Sequence, residues 1–218
     1  MDIYTTEEQQ VAAIKKWWHE NKWSLMGGVV IGVGALWGGR AWLDNQQSYS
    51  EAASAVYQVM LEDVTQGKND EAAIQGALLL GQFSDTAYSS LAALMMAKIK
   101  QEAGDGAAAS AHLRWALDNT KNDAVRHEAR LRLSRLMVAE GKYDDALSFL
   151  TGVEVGVYEP TYEQLKGDIY IAMGQPESAR TAFMRALASA PPEERGRELL
   201  QMKLDNLGQP ASGDTSSL

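Results

Sequence analysis

The hydrophobic positions of the chain follow two different patterns. Residues 24–39 form one uncharged, glycine-rich apolar run, whereas the chain beyond it places short apolar clusters and charged residues at helical spacing. Very few windows alternate apolar and polar residues one by one, as a strand beside a core does. The pattern predicts an all-α protein, with one apolar helix near its start and a longer helical domain after it.

The apolar run has the composition of a membrane-spanning helix. Its 16 residues reach only about 24 Å as a helix, but residues 23–43 reach about 31 Å, enough for a hydrocarbon core of roughly 30 Å. Arg40 then lies near the end of the span, where its guanidinium can reach the headgroups. Tryptophans flank the span on both sides: Trp17, Trp18, Trp23 and Trp42. Such rings favour the two membrane interfaces, so we expect a transmembrane helix over residues 23–43.

Two other interpretations of the run fit less well. Lys15, Lys16 and Lys22 precede it, as in a cleaved export signal, but no small-residue cleavage site follows in "GGRAWLDNQQ". A phosphate-binding GxGxxG loop would need glycine at Trp37 and a strand before it. We therefore expect an uncleaved signal anchor, with a cleaved signal peptide as the alternative.

Small residues form a stripe along the predicted span. Gly28, Gly32, Ala35 and Gly39 follow i, i+4, i+7 and i+11 and so share one helix face. Small side chains let a second helix approach closely, which makes this stripe a candidate helix-packing surface. The alternative is an anchor that merely tolerates glycine.

The flanking charges predict the orientation of the span. Three lysines precede it and a single arginine lies at its end, and the basic flank of a span stays in the cytoplasm. Residues 1–22, with a helix over 5–22, are then a cytoplasmic segment. In a bacterium with two membranes, residues 44–207 form a periplasmic domain of a single-pass inner-membrane protein. The polar residues 208–218 are expected to be a disordered tail.

The domain after the span contains a repeat. Four glycine-centred turns recur at separations of 37, 37 and 33 residues: Gly67, Gly104, Gly141 and Gly174. An alanine follows each glycine by five residues: Ala72, Ala109, Ala146 and Ala179. Glycine ends a helix by adopting the left-handed conformation, and alanine lets the next helix pack closely against the first. The spacing predicts an α-solenoid of about four helical pairs, similar to tetratricopeptide (TPR) repeats.

The repeats match the TPR pattern unequally. Residues 161–191 and 124–155 match it best, residues 88–120 match it less, and residues 49–83 could be an irregular helical cap. Leucines and a methionine after residue 195 are expected to cover the open end of the last pair.

A TPR-like stack commonly binds a partner on the face formed by the first helix of each pair. Seven residues on the predicted first helices are candidates for this face: Tyr88, Met95, Arg130, Leu133, Met137, Tyr162 and Tyr170. The alternative for each of them is packing between helices.

Charge and composition exclude several functions. Residues 44–218 carry 25 acids against 16 bases, a poor electrostatic match for nucleic acid. There is no cysteine, none of the three histidines has metal-ligand spacing, and no G-x-S-x-G motif occurs. We expect a non-enzyme without metal or cofactor, with His112 and His127 on solvated helix faces. A deep polar pocket around either histidine would favour the alternative that the protein is a hydrolase.

Segments at both ends resemble a known family. "DIY", "QVAAIKKWW", "GVVIGVGALWGGRAW" and "ELLQMKLDNL" resemble the YfgM family, ancillary subunits of the SecYEG translocon, and the resemblance extends from residue 2 to about residue 207. It implies a single-span inner-membrane protein with a periplasmic TPR-like domain. It also implies association with SecYEG and with a PpiD-type membrane-anchored chaperone, and a link to the regulator RcsB on the cytoplasmic side.

From the anchor, the repeats and this resemblance together we expect an adaptor or chaperone cofactor that handles newly translocated chains. Whether unfolded clients bind it directly or only through the partner chaperone stays open. The alternative is a membrane-tethered scaffold for another envelope assembly.

Overall fold

The computed structural model describes residues 7–191 and 196–207, and its regular elements there are helices. Their bounds are α1 Glu7–Thr65, α2 Asn69–Gln82, α3 Ala87–Glu102, α4 Gly106–Asn119, α5 Asp123–Ala139, α6 Tyr143–Leu150, α7 Glu159–Ala172, α8 Pro176–Ser189 and α9 Gly196–Asn206, with a 3-10 turn at Gly156–Tyr158. The all-α prediction is confirmed. The predicted tail, residues 208–218, lies outside the described residues. The chain divides into two compact units, residues 1–52 and 53–218.

In the part of the chain that the structure describes, the first unit consists of residues 7–52 of α1. The helix predicted over residues 5–22 and the predicted span are one continuous helix from Glu7 onward. Apolar side chains project from it in every direction, and Ile31 and Trp37 are 73% and 78% exposed. The helix is long and apolar enough to cross a membrane. A helix that is apolar on all sides needs an apolar environment on all sides, which a bilayer supplies.

The second unit contains four helix pairs and a final helix. Residues 53–65 of α1 pair with α2, and α3–α4, α5–α6 and α7–α8 follow, with α9 packed on α8. First helices also contact one another, α3 with α5 and α5 with α7, as in an α-solenoid. Residues 49–83 are therefore no irregular cap, because they contain a regular first pair.

The four turns within the pairs have one geometry. Gly67, Gly104, Gly141 and Gly174 have φ between +71° and +80°, as the sequence predicts. The residue after each glycine donates its N–H to the carbonyl five residues earlier, at 2.8–2.9 Å: Lys68 to Asp63, Asp105 to Lys100, Lys142 to Met137 and Gln175 to Tyr170. This i→i−5 bond satisfies a carbonyl that the helix end would leave unpaired.

The predicted alanines lie where the paired helices meet. Ala72, Ala109, Ala146 and Ala179 are all 0% exposed. Each donates its N–H to the carbonyl of the residue after its turn glycine, at 3.0–3.1 Å. The spacing of glycine and alanine therefore predicts both the turn and a buried position in the core of each pair.

The third pair departs from this regularity. The helices α2, α4 and α8 have 14 residues each, whereas α6 has 8 and ends at Leu150. Thr151 is extended, and Gly152 has a φ of +73°. Residues 151–158 connect α6 to α7 through the short 3-10 turn, so the third pair lacks the last turns of its second helix.

Candidate interaction surfaces

The predicted stripe on α1 lies on an open surface. A Cβ atom added at Gly28, Gly32 or Gly39 would meet no atom within 4 Å. The flanking rings Trp17, Trp18, Trp23 and Trp42 are exposed as well. The face is therefore free to accept another helix, and its role as a packing surface stays a prediction.

Two candidates for a partner-binding face are buried. Leu133 is 1% exposed and lies in the core between α3, α4 and α5, and Tyr162 is 0% exposed in the core of α5, α6 and α7. Both occupy the side of a first helix that faces neighbouring helices. A partner cannot reach them, so packing is their role and we exclude them from the proposed face.

The other five candidates are half-buried and also contact neighbouring helices. Met95, Met137 and Tyr170 pack against core clusters, and the ring centroid of Tyr88 lies 5.7 Å from that of Tyr57. Arg130 lies over the Phe149 ring, 5.0 Å from its centroid, and Nη1 donates to the Phe149 carbonyl at 3.3 Å. These residues leave only part of their surface for a partner.

His127 belongs to an aromatic cluster rather than to a solvated helix face, which corrects the expectation from the sequence. Its ring stacks on Tyr158, with centroids 4.3 Å apart, and meets Tyr162 edge-on at 5.5 Å. Its Nδ1 is hydrogen-bonded to the Tyr162 hydroxyl at 2.9 Å. The cluster attaches α5 to the start of α7. No local sequence pattern indicates it, because the two tyrosines lie 31 and 35 residues after His127.

The surroundings of the histidines favour their neutral forms. Burial lowers the pKa of His127, and the charge of Arg130 lowers it further. His112 is half-buried too, and burial lowers its pKa, with Lys100 adding to the effect. In a neutral His127 ring, Nδ1 can accept a hydrogen bond from the Tyr162 hydroxyl. The surroundings of His127 are therefore those of a structural contact between helices.

A groove does lie beside His127, but it is open. Its volume is about 520 Å³, and it is bounded by the start of α5 and the connection from Val153 to Tyr158. The His127 ring is held by two tyrosines at its edge. Among the described residues, no group of three His, Asp or Glu side chains could hold a metal ion. A deep polar pocket at this position would support a hydrolase, whereas this groove is open to solvent.

The fold and these surfaces define a class: a helical-repeat protein with one candidate membrane span in the described part of its chain. A sequence profile of the tetratricopeptide repeat-like domain family matches residues 15–209. A relative from Haemophilus influenzae is 32% identical over 92% of this chain and 97% of its own length. Relatives from Escherichia coli, at 31% over 95% and 99%, and Neisseria gonorrhoeae, at 30% over 95% and 100%, match similarly. Each is named an ancillary SecYEG translocon subunit. The chain belongs to this family.

A solved structure shares the fold. Pseudomonas aeruginosa PilF superposes with a TM-score of 0.56 at 18% identity, over 73% of this chain and 69% of PilF. At this identity the likeness concerns the fold alone.

Proposed function

We propose that this protein is an accessory subunit of a SecYEG translocon, anchored in the inner membrane by residues 23–43. The exposed apolar surface of α1 carries the proposal, because those side chains have no favourable environment in water. The names of relatives that match nearly the full chain support the assignment to the translocon.

The proposed orientation rests on the charges beside the span. Lys15, Lys16 and Lys22 precede it, and Arg40 alone lies near its end. Residues 1–22 are then cytoplasmic, and the helix pairs of residues 44–207 lie in the periplasm. The protein crosses the membrane once.

The proposed mechanism is positional rather than catalytic. The span holds the repeat domain where polypeptides leave the channel, and the domain serves as an adaptor or chaperone cofactor. A PpiD-type anchored chaperone, unfolded client chains and, on the cytoplasmic side, RcsB are its proposed partners. Tethering raises the effective concentration of such partners, so each contact can be weak.

Topology provides the first test. We expect an alkaline phosphatase fused after residue 43 to be active, since this reporter folds only outside the cytoplasm. We also expect the full-length protein to stay in membranes after carbonate washing. A fusion at residue 5 should be inactive. Release by carbonate, or a mature chain that begins beyond Trp42, would contradict the anchor.

Co-purification from mild detergent provides the second test. We expect SecYEG subunits to be recovered with the wild-type protein and less well with the double variant Gly28→Ile/Gly32→Ile, which blocks the stripe. The matched control is Gly27→Ile/Gly34→Ile, which adds the same bulk about 120–140° away around the helix. Equal recovery from both variants would rule out the stripe. Recovery of wall-synthesis enzymes without Sec subunits would favour the scaffold alternative.

A further inference from the structure

A groove lies between α6, α7 and α8 in the repeat domain, beside the point where α6 ends. It has a volume of about 390 Å³ and lies between the last turn of α6 with Thr151 and one face of α8, with α7 contributing its other side. Arg185 lies eleven residues after Gly174, and the equivalent position in the third pair is Gly152, beyond the end of α6. Arg185 therefore has no counterpart on α6.

An ion pair lies on the α7 side of the groove. Glu163 is 7% exposed, and its carboxylate accepts a hydrogen bond from Lys166 Nζ at 2.6 Å. Burying a carboxylate is costly unless a partner neutralises it, and Lys166 does so here. With this pair balanced, Arg185 supplies the excess charge of the groove, which is positive.

The other polar residues that line the groove, Arg185, Tyr170 and Ser178, can donate hydrogen bonds to an incoming acceptor. None of the three side chains is hydrogen-bonded to another described residue, and Arg185 is exposed, so its guanidinium is accessible to a partner. A carboxylate offers only acceptors, and arginine binds it with two parallel hydrogen bonds. The groove thus complements a carboxylate in both charge and hydrogen bonding.

We propose that this groove binds a carboxylate side chain on an extended segment of another polypeptide. The carboxylate accepts hydrogen bonds from Arg185 and from the Tyr170 and Ser178 hydroxyls. The domain itself is acidic, so it repels a strongly acidic partner at long range. A single acidic residue within an otherwise neutral segment is the ligand that fits. This site does not depend on the association with SecYEG proposed above.

Saturation-transfer NMR on the full-length protein in neutral-lipid nanodiscs tests the proposal. The probe is the capped peptide Ser-Gly-Ser-Glu-Ser-Gly-Ser, compared with the same peptide carrying Gln in place of Glu. We expect the Glu peptide to bind with a Kd of about 5 mM or tighter, and the Gln peptide to bind about fivefold or more weakly. Added salt should weaken only the binding of the Glu peptide.

Two matched variants locate the site. Arg185→Gln should abolish the preference for Glu, whereas Arg114→Gln, an equal charge change at an exposed position on α4, should leave it intact. Tyr170→Phe, which removes only the hydroxyl, should reduce the preference. Thermal unfolding of each variant confirms folding. Equal affinity for the two peptides, no binding of the Glu peptide, or equal loss in the Arg185 and Arg114 variants would each overturn the proposal.

Discussion

At the scale of single residues, small side chains set how closely the helices of a pair approach. Gly167 on α7 packs directly against the ring of Phe183 on α8, and Phe183 is fully enclosed. The turn glycines do a different job, since a Cβ there would meet nothing and only their positive φ requires glycine. Two kinds of glycine thus support the same fold, one through space and one through backbone conformation.

The enclosed glycine gives a prediction for stability. Gly167→Ala places a methyl group into the Phe183 ring, which has no free space to move into, so we expect it to destabilise the domain by about 1–3 kcal/mol. Urea unfolding followed by circular dichroism measures the change. The control is Gly81→Ala on α2, where a Cβ meets nothing and helix propensity improves, with an expected gain of up to about 1 kcal/mol. Equal stability of the two variants would contradict the packing argument.

Many of these features of single residues could be predicted from the sequence. The positive φ of the four turn glycines and the burial of the four alanines follow from local spacing, which a single repeat already contains. The surroundings of His127, Leu133 and Tyr162 could not be predicted in the same way. These surroundings depend on which side of each helix faces the next pair. Contacts between residues that are distant in the sequence decide this.

At the scale of elements, α9 closes the exposed end of the last pair, and basic side chains hold it there. Arg197 Nη1 donates to the carbonyls of Leu187 and Ala190, both at 2.7 Å, where α8 ends. Lys203 pairs with Asp168 of α7 at 2.5 Å and lies over the Phe183 ring. Leu200 and Leu204 are buried beneath these contacts. The predicted covering of the last pair is therefore fixed by polar contacts as well as by leucines.

Removing the Arg197 contacts should loosen α9. We expect Arg197→Ala to cost about 1.5–3 kcal/mol, because charged hydrogen bonds to the end of α8 are lost. Hydrogen exchange measured by mass spectrometry should become faster in α9 and in the last turn of α8, and stay unchanged in α3 and α4. Arg185→Gln, an arginine change within α8, serves as the control and should leave α9 protected. Unchanged exchange in α9 would show that the Arg197 contacts are not needed to hold it.

At the scale of elements, the short length of α6 is the main feature that the repeat spacing does not predict. Residues 151–156, "TGVEVG", contain β-branched residues and two glycines, a composition that disfavours helix. This composition favours an early end of α6, whereas the glycine spacing on either side is typical of a complete repeat. Local propensity ends α6 early here, while the spacing still places α7 and α8 correctly.

At the scale of the whole molecule, α1 contributes to both compact units. Its residues from Ala53 onward belong to the repeat domain, and Ala53 and Met60 are fully buried against α2 and α3. The predicted domain boundary at residue 44 lies before this segment, so it keeps the first helix pair complete. A boundary drawn at the first turn glycine would divide that pair.

Truncation at the two positions should therefore have different outcomes. We expect the fragment 44–218 to be soluble, helical and cooperative in unfolding. The fragment 66–218 lacks the helix that covers Ala72 and Leu79, and each large side chain it exposes loses roughly 1.5–3 kcal/mol of burial. Its α2 should exchange amide hydrogens rapidly. Equal protection of α2 in both fragments would show that the first pair does not need α1.

The identical geometry of the four turns bears on how proteins of this kind change in length. Gain or loss of one complete unit, from one turn glycine to the next, keeps every joint intact. A single extra residue inside a helix would instead turn everything beyond it by about 100°. Proteins with this architecture can therefore evolve a new length by duplicating or deleting whole repeat units. Engineered variants should likewise be lengthened or shortened by complete units.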